Sequence, residues 1–157
     1  MNSLLAEPQP ITAFQENSTP SNMDPFPRLV GEETSARILY VEDEPSLRSF
    51  GELVLARSGF TVDTAADGEE AWEALKTREY QLLITDNHMP NLTGLELIRN
   101  VCAAGLCLPI ILASSIVGTC PNSELPQFQC GALLDKPFTP SQLVSAVREV
   151  LQESSLA

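Results

Sequence analysis

From Arg37 onward the chain alternates short apolar runs with segments of helical periodicity, and that alternation restricts its fold more than any other feature. The apolar runs are Arg37 to Val41, Phe60 to Thr64, Gln81 to Asp86, Pro109 to Ala113 and Ala132 to Leu134. They read as five strands, rich in β-branched and aliphatic residues. Helical spacing falls between and after them, over Pro45 to Ser58, Asp67 to Glu79, Leu95 to Ala104 and Thr139 to Glu153. Leu47, Phe50, Leu53, Val54 and Ala56 supply the apolar spacing of the first of these helices. Ala71, Trp72 and Leu75 supply the inward face of the second, and Leu143, Val144, Val147 and Leu151 that of the last. Pro45 suits a first helical turn, Gly59 and Gly105 suit helix ends, and Thr139-Pro140 reads as an N-cap followed by an N1 proline. Strands that alternate with helices imply a parallel sheet covered on both faces, with right-handed crossovers.

The polar residues that close these runs are the second signal. Glu42-Asp43 follows the first strand, Asp86 ends the third, Ser114 follows the fourth, and Lys136 follows the fifth. In an open parallel α/β sheet, ligands bind outside the carboxyl ends of the strands. An acid pair, an acid, a hydroxyl and a lysine therefore converge on one crevice. Two unit charges about 4 Å apart repel by roughly 4 kcal/mol at an effective dielectric of 20, so clustered carboxylates call for a cation. Mg²⁺ suits an all-oxygen donor set. Asp43 and Asp86 are the expected direct ligands, with Glu42 acting through water and the backbone carbonyl of His88 completing the protein donors. Asp86 is then placed to accept a phosphoryl group whose oxygens the metal and Lys136 neutralise, while the Ser114 hydroxyl senses the modification.

These runs resemble those of response-regulator receiver domains. The resemblance rests on Ile38-Leu39-Tyr40-Val41-Glu42-Asp43-Glu44-Pro45, Asp86-Asn87-His88-Met89-Pro90 with Gly94, Pro109-Ile110-Ile111 leading to Ser114, and Lys136-Pro137-Phe138. It implies a doubly wound, flavodoxin-like α/β domain with a five-stranded parallel sheet of order 2-1-3-4-5. It implies phosphorylation of Asp86 by a histidine kinase or phosphotransfer protein, with Mg²⁺ as cofactor and protein–protein interactions as the output. Three departures stand out, one of them His88 two positions after Asp86, which is uncommon in receivers. Leu133 occupies the position three before the lysine, where receivers usually carry Tyr or Phe, and the stretch from Gly118 to Cys130 holds Pro121 and Pro126 in place of a regular helix.

Composition narrows the alternatives. Residues 1–34 carry Pro8, Pro10, Pro20, Pro25 and Pro27 without sustained periodicity, and are expected to be a flexible extension ahead of a domain spanning 35–157. Met23 is a second candidate start. The net charge of -12, from nine basic and 21 acidic residues, disfavours nucleic acid as a direct partner. The N-terminus lacks a basic, apolar leader and no run reaches membrane-spanning length, so a cytoplasmic protein is expected. Cys102, Cys107, Cys120 and Cys130 form no Cys-x-x-Cys pair, and His88 is the single histidine, so a zinc site has little support. The cysteines are expected to be small buried side chains in a reducing compartment. The favoured reading is a stand-alone receiver. A phosphorylation-independent interaction module on the same fold and a receiver segment of a hybrid histidine kinase are the alternatives. A nucleotide binder is disfavoured, because Glu42-Asp43-Glu44-Pro45 stands where a glycine-rich phosphate cradle would be needed.

Overall fold

The computed structural model describes residues 35–115 and 130–156. Its elements in chain order are β1 (Arg37–Val41), α1 (Pro45–Arg57), β2 (Thr61–Ala65), α2 (Gly68–Thr77), β3 (Leu82–Asp86), α3 (Gly94–Ala103), β4 (Ile110–Ser114), β5 (Cys130–Asp135) and α4 (Pro140–Ser155). The five strands form one parallel sheet in the order β2-β1-β3-β4-β5, as expected. The N-terminal extension and the stretch from Gly118 to Gln129 lie outside the described residues.

Period-two alternation along each strand feeds two separate apolar layers. Leu39, Val41, Leu83, Ile110 and Leu112 point into the layer completed by Ala71 and Leu75 of α2 and Leu97, Ile98 and Val101 of α3. Ile38, Tyr40, Leu82, Ile84 and Ile111 point into the opposite layer, with Val54 and Leu55 of α1 and Leu143, Val144, Val147 and Val150 of α4. The helix starts follow from local side-chain chemistry. Glu44 accepts from the backbone N–H groups of Ser46 and Leu47, Asp67 accepts from Glu70, and Thr93 and Thr139 form capping boxes with Glu96 and Gln142. Asp63 fastens the edge strand β2. It accepts from Tyr80 at 3.0 Å and pairs with Arg37 at 3.1 Å and Arg78 at 3.0 Å.

Several expectations are corrected. Helix α1 buries Gly51, Val54 and Leu55, while Leu47, Phe50 and Leu53 are exposed. Gly51 lies against the Tyr40 ring so closely that a Cβ there would overlap it, which fixes the rotation of α1 on the sheet. Helix α2 stops at Thr77, and β5 extends over Cys130–Asp135 with a register irregularity opposite Ile110 and Ile111. Cys107, two residues after the left-handed Gly105 (φ 69°), is exposed, while Cys102 is half-buried. Of the residues expected on the inward face of α2, Ala71 and Leu75 are buried and Trp72 is partly buried, with Lys76 5.4 Å from its ring centroid.

Candidate functional site

The parallel register brings the strand ends level. Val41 pairs with Thr85, Asp86 with Ala113, and Ser114 with Asp135, so the residues that close β1, β3, β4 and β5 share one edge of the sheet. At the end of β1, Arg48 donates to the carbonyl of Glu42 at 2.7 Å and to that of Asp43 at 3.3 Å. The guanidinium thereby ties the acid-bearing loop to the first turns of α1. Asp86 is the last residue of β3. Its Oδ1 accepts from the N–H of Asn87 at 2.7 Å, and the Thr85 hydroxyl donates to its carbonyl at 2.9 Å. The N–H of Asn87 also reaches the carbonyl of Ala113 at 3.2 Å, and the N–H of Lys136 reaches the carbonyl of Ser114 at 2.9 Å, so the backbone is held on both sides of the carboxylate.

The loop after Asp86 needs a glycine at its far end. Gly94 donates its N–H to the carbonyl of Asn87 at 3.2 Å and opens α3 against the backbone of Asp86. A Cβ at Gly94 would overlap the carbonyl oxygen of Asp86, and that obstacle is backbone. Gly94→Ala is therefore expected to cost about 2 kcal/mol and lower the melting temperature by several degrees, as overpacking against a fixed wall does. A thermal melt unchanged from the parent would contradict this packing. Asn91 adopts φ 64° and donates to Asp67 at 3.0 Å, tethering the same loop to the start of α2.

The side chains meet as the sequence suggests. Carboxylate oxygens of Glu42, Asp43 and Asp86 lie within 4.8 Å of one another. Lys136 Nζ is 2.6 Å from Glu42 Oε2 and 3.1 Å from Asp86 Oδ2. Glu42 is only 2% exposed and Asp86 8%, whereas Asp43 faces solvent at the rim. Glu42 is thus no solvated acid, and Lys136 is bound to the two buried carboxylates of the site, not to its neighbour Asp135. Burial pushes the Glu42 carboxyl above its usual range, against the opposing hydrogen bond and charge of Lys136 and with the help of the Asp86 charge. Burial alone would lower the Lys136 ammonium. Its hydrogen bonds and charge interactions with Glu42 and Asp86 outweigh that and hold it above the ordinary lysine value. Three carboxylates against one ammonium give a formal local charge of about -2, the deficit that a divalent cation removes. All the acidic donors are oxygens, so the cluster fits a hard cation such as Mg²⁺.

Ser114 is buried at the end of β4, and His88 is exposed two residues beyond Asp86. Sequence reasoning overlooked Arg48 and Asn87. A basic residue in the second turn of a helix that follows an acid pair was the available signal for Arg48. Nothing in the sequence marks Asn87, whose Oδ1 is buried without a hydrogen-bond partner.

Residues 38–148 match the model of the response regulator receiver domain. The chain belongs to that family. It is similar to the transcriptional regulatory protein DltR of Streptococcus agalactiae, with 32% identity over 120 residues covering 76% of this chain and 54% of DltR. It is also similar to the response regulator RppA of Synechocystis, with 34% identity covering 75% of this chain and 51% of RppA. The chain spans about half the length of these curated relatives. Among solved structures, the chemotaxis response regulator CheY4 of Vibrio cholerae aligns with a TM-score of 0.69 and 29% identity, covering 74% of this chain and 99% of CheY4. The response regulator TrrA of Thermotoga maritima, solved in complex with Mg²⁺ and BeF, aligns with a TM-score of 0.65 and 30% identity, covering 73% of this chain and 98% of TrrA. Receivers belong to two-component signalling and are phosphoacceptors, not enzymes in the usual sense. Among the described residues, no helix of this receiver is long and apolar enough to cross a membrane.

Proposed function

We propose that this receiver takes a phosphoryl group on Asp86 in the cytoplasm from a histidine kinase or phosphotransfer protein and thereby changes which protein it binds. The observation that carries this reading is the placement of the Asp86 carboxylate. It ends a strand in an acidic crevice, with Oδ2 3.1 Å from the Lys136 ammonium and the Glu42 and Asp43 carboxylates beside it. An oxygen of Asp86 attacks the phosphorus of a phosphohistidine in line. The P–N bond breaks, its electron pair returns to the imidazole nitrogen, which takes up a proton, and Asp86 is left as an acyl phosphate. Asp43, Asp86 and the backbone carbonyl of His88 would hold Mg²⁺, with Glu42 joined through water. When bound, the metal offsets the negative charge that gathers on the phosphoryl oxygens. Lys136, already beside Asp86, exchanges a carboxylate oxygen for a phosphoryl oxygen, and Ser114 donates its hydroxyl to another.

Titration with Mg²⁺ and beryllofluoride, a phosphoryl mimic, tests this reading. Amide resonances of Asn87, Ser114 and Lys136 are expected to shift and saturate together, with a further change in Trp72 fluorescence. Shifts that appear with neither Mg²⁺ nor beryllofluoride would remove it. A second reading, a receiver fold that binds its partner without switching, draws on Leu133. That side chain is 49% exposed where the family usually carries an aromatic ring. Saturable shifts confined to the acidic crevice, with none reaching β5 or α4, would favour this module.

A further inference from the structure

One acid of the crevice has no anchor of its own. Asp43 is exposed, and its carboxylate makes no hydrogen bond or ion pair among the described residues. Glu42 and Asp86 differ, since both are buried and bound to Lys136. A carboxylate that wanders must be ordered whenever a cation arrives, and the entropy of that ordering is lost from the affinity. Any order that Asp43 has beforehand comes through its backbone.

We propose that Arg48 is a positioning residue for the cation site, holding Asp43 in place by gripping the main chain on both sides of it. This role rests on the Mg²⁺-binding reading of the crevice and deepens it. Arg48 Nη1 donates to the carbonyl of Glu42 at 2.7 Å and to that of Asp43 at 3.3 Å. Those carbonyls belong to the two planar peptide units that flank the Asp43 Cα, so a single nitrogen ties down both planes. With both planes tied, the Cα–Cβ bond of Asp43 keeps one direction, and only rotation of its side chain is left to settle. The ends of the turn are held by other means. The N–H of Glu42 reaches the carbonyl of Ala65 at 3.1 Å, and the Glu44 carboxylate accepts from the N–H groups of Ser46 at 3.2 Å and Leu47 at 2.8 Å. Arg48 holds the middle. Its own N–H donates to the carbonyl of Glu44 at 2.9 Å, and its side chain is half-buried, so the grip starts from a fixed helical turn. A charged donor also makes the stronger hydrogen bond. Lysine would keep the charge but not the reach, because its stem ends one bond earlier and lacks the planar fork.

Charge alone predicts the opposite effect. A guanidinium beside an acid cluster repels a divalent cation, so removing it would tighten Mg²⁺ binding. The sign of the change therefore separates holding from charge. Full-length parent, Arg48→Met and Arg48→Lys are titrated with Mg²⁺ alone by calorimetry, without any phosphoryl donor. Backbone ¹⁵N order parameters of Asp43 and Glu44 are measured in EDTA on the same chains. The expected result is a Kd for Mg²⁺ raised about tenfold in Arg48→Met, as loss of a group that orients a ligand does, with Arg48→Lys in between. The Asp43 order parameter should fall from about 0.85 toward 0.6 in Arg48→Met before any metal is added. Binding by Arg48→Met as tight as the parent's, or tighter, would overturn the role. Weaker binding with Asp43 as rigid as in the parent would overturn it as well. Should methionine loosen α1 as a whole, Arg48→Lys must still bind Mg²⁺ less tightly than the parent, and an unchanged Kd there would be decisive against it. A parent that binds no Mg²⁺ would remove the cation reading of the crevice and this role with it, whereas a failure confined to the variants removes the role of Arg48 alone.

Discussion

Asp86→Asn is expected to abolish phosphoryl uptake from both a phosphotransfer protein and a small-molecule donor, while the fold survives and becomes slightly more stable. The amide has nearly the shape of the carboxylate but no anionic oxygen to attack phosphorus, so the loss is complete to the limit of detection by intact-mass measurement. The gain in stability follows from the charges around it. Asp86 is attracted to one ammonium, 3.1 Å away, and repelled by the carboxylates of Glu42 and Asp43, within 4.8 Å. In the absence of Mg²⁺, removing its charge relieves two repulsions at the cost of one attraction, and Lys136 keeps its 2.6 Å pair with Glu42. A rise of a few degrees in melting temperature is expected, about 1 kcal/mol for a chain of this size. Mg²⁺ should reverse the ranking, because the parent gains a ligand that the variant lacks. Phosphoryl uptake retained by the variant would move the acceptor elsewhere; a destabilised variant would mean that the Lys136 attraction dominates the cluster.

What was legible from sequence, and what was not, follows from the range of the forces involved. The strands were legible because Ile38 to Val41, Leu82 to Thr85 and Ile110 to Ala113 are buried on both faces, so continuous apolar runs suffice to mark them. The crevice was legible because a strand end is a fixed place in a parallel sheet, so polar residues closing separate runs must meet. The face of α1 was not. Its apolar residues are spread around the helix, and the choice among faces is made by a contact between distant positions, the Tyr40 ring against the bare backbone of Gly51. The role of Glu42 was also hidden. Periodicity places it at the mouth, but only the closure of β5 beside β4 brings Lys136 within 2.6 Å and makes a rim acid into a buried partner. Arg48 was missed for a similar reason: it acts on backbone carbonyls, so its placement near the start of the helix after the acid pair was its one signal.

Lys136→Met separates the two tasks of the lysine, and both effects should be large. Its ammonium is the cation that phosphoryl oxygens on Asp86 would meet, and loss of one preorganised donor of this kind slows transfer by about 10²- to 10³-fold. Single-turnover transfer from a small-molecule donor at saturating Mg²⁺ measures this, and a rate within about threefold of the parent would exclude a direct role. The second effect is on folding. Without Lys136, Glu42 keeps its burial and the repulsion of Asp86 but loses the hydrogen bond and charge that oppose them. Its carboxyl, already above the usual range, rises further. A group whose folded value is raised contributes stability that is intact below its unfolded value and is lost as pH climbs through the folded one. The variant should therefore approach the parent at acidic pH and fall behind it from the ordinary glutamate range toward neutrality. Removing one partner of a buried pair can cost about 3–5 kcal/mol, but Glu42 can take up a proton, so a smaller loss of about 1–3 kcal/mol is expected near neutral pH. The parent has its own limit at the other end of the scale. Lys136 is held above the ordinary lysine value, so its stabilising contribution persists through neutral pH and disappears only in the alkaline range. Thermal melts in EDTA across this range check both signs. A deficit that is the same at acidic and neutral pH would show that the methionine disturbs packing and that the Glu42–Lys136 pair is not what holds the crevice together. Mg²⁺ added at neutral pH should recover part of the deficit, since it supplies positive charge to the same carboxylates.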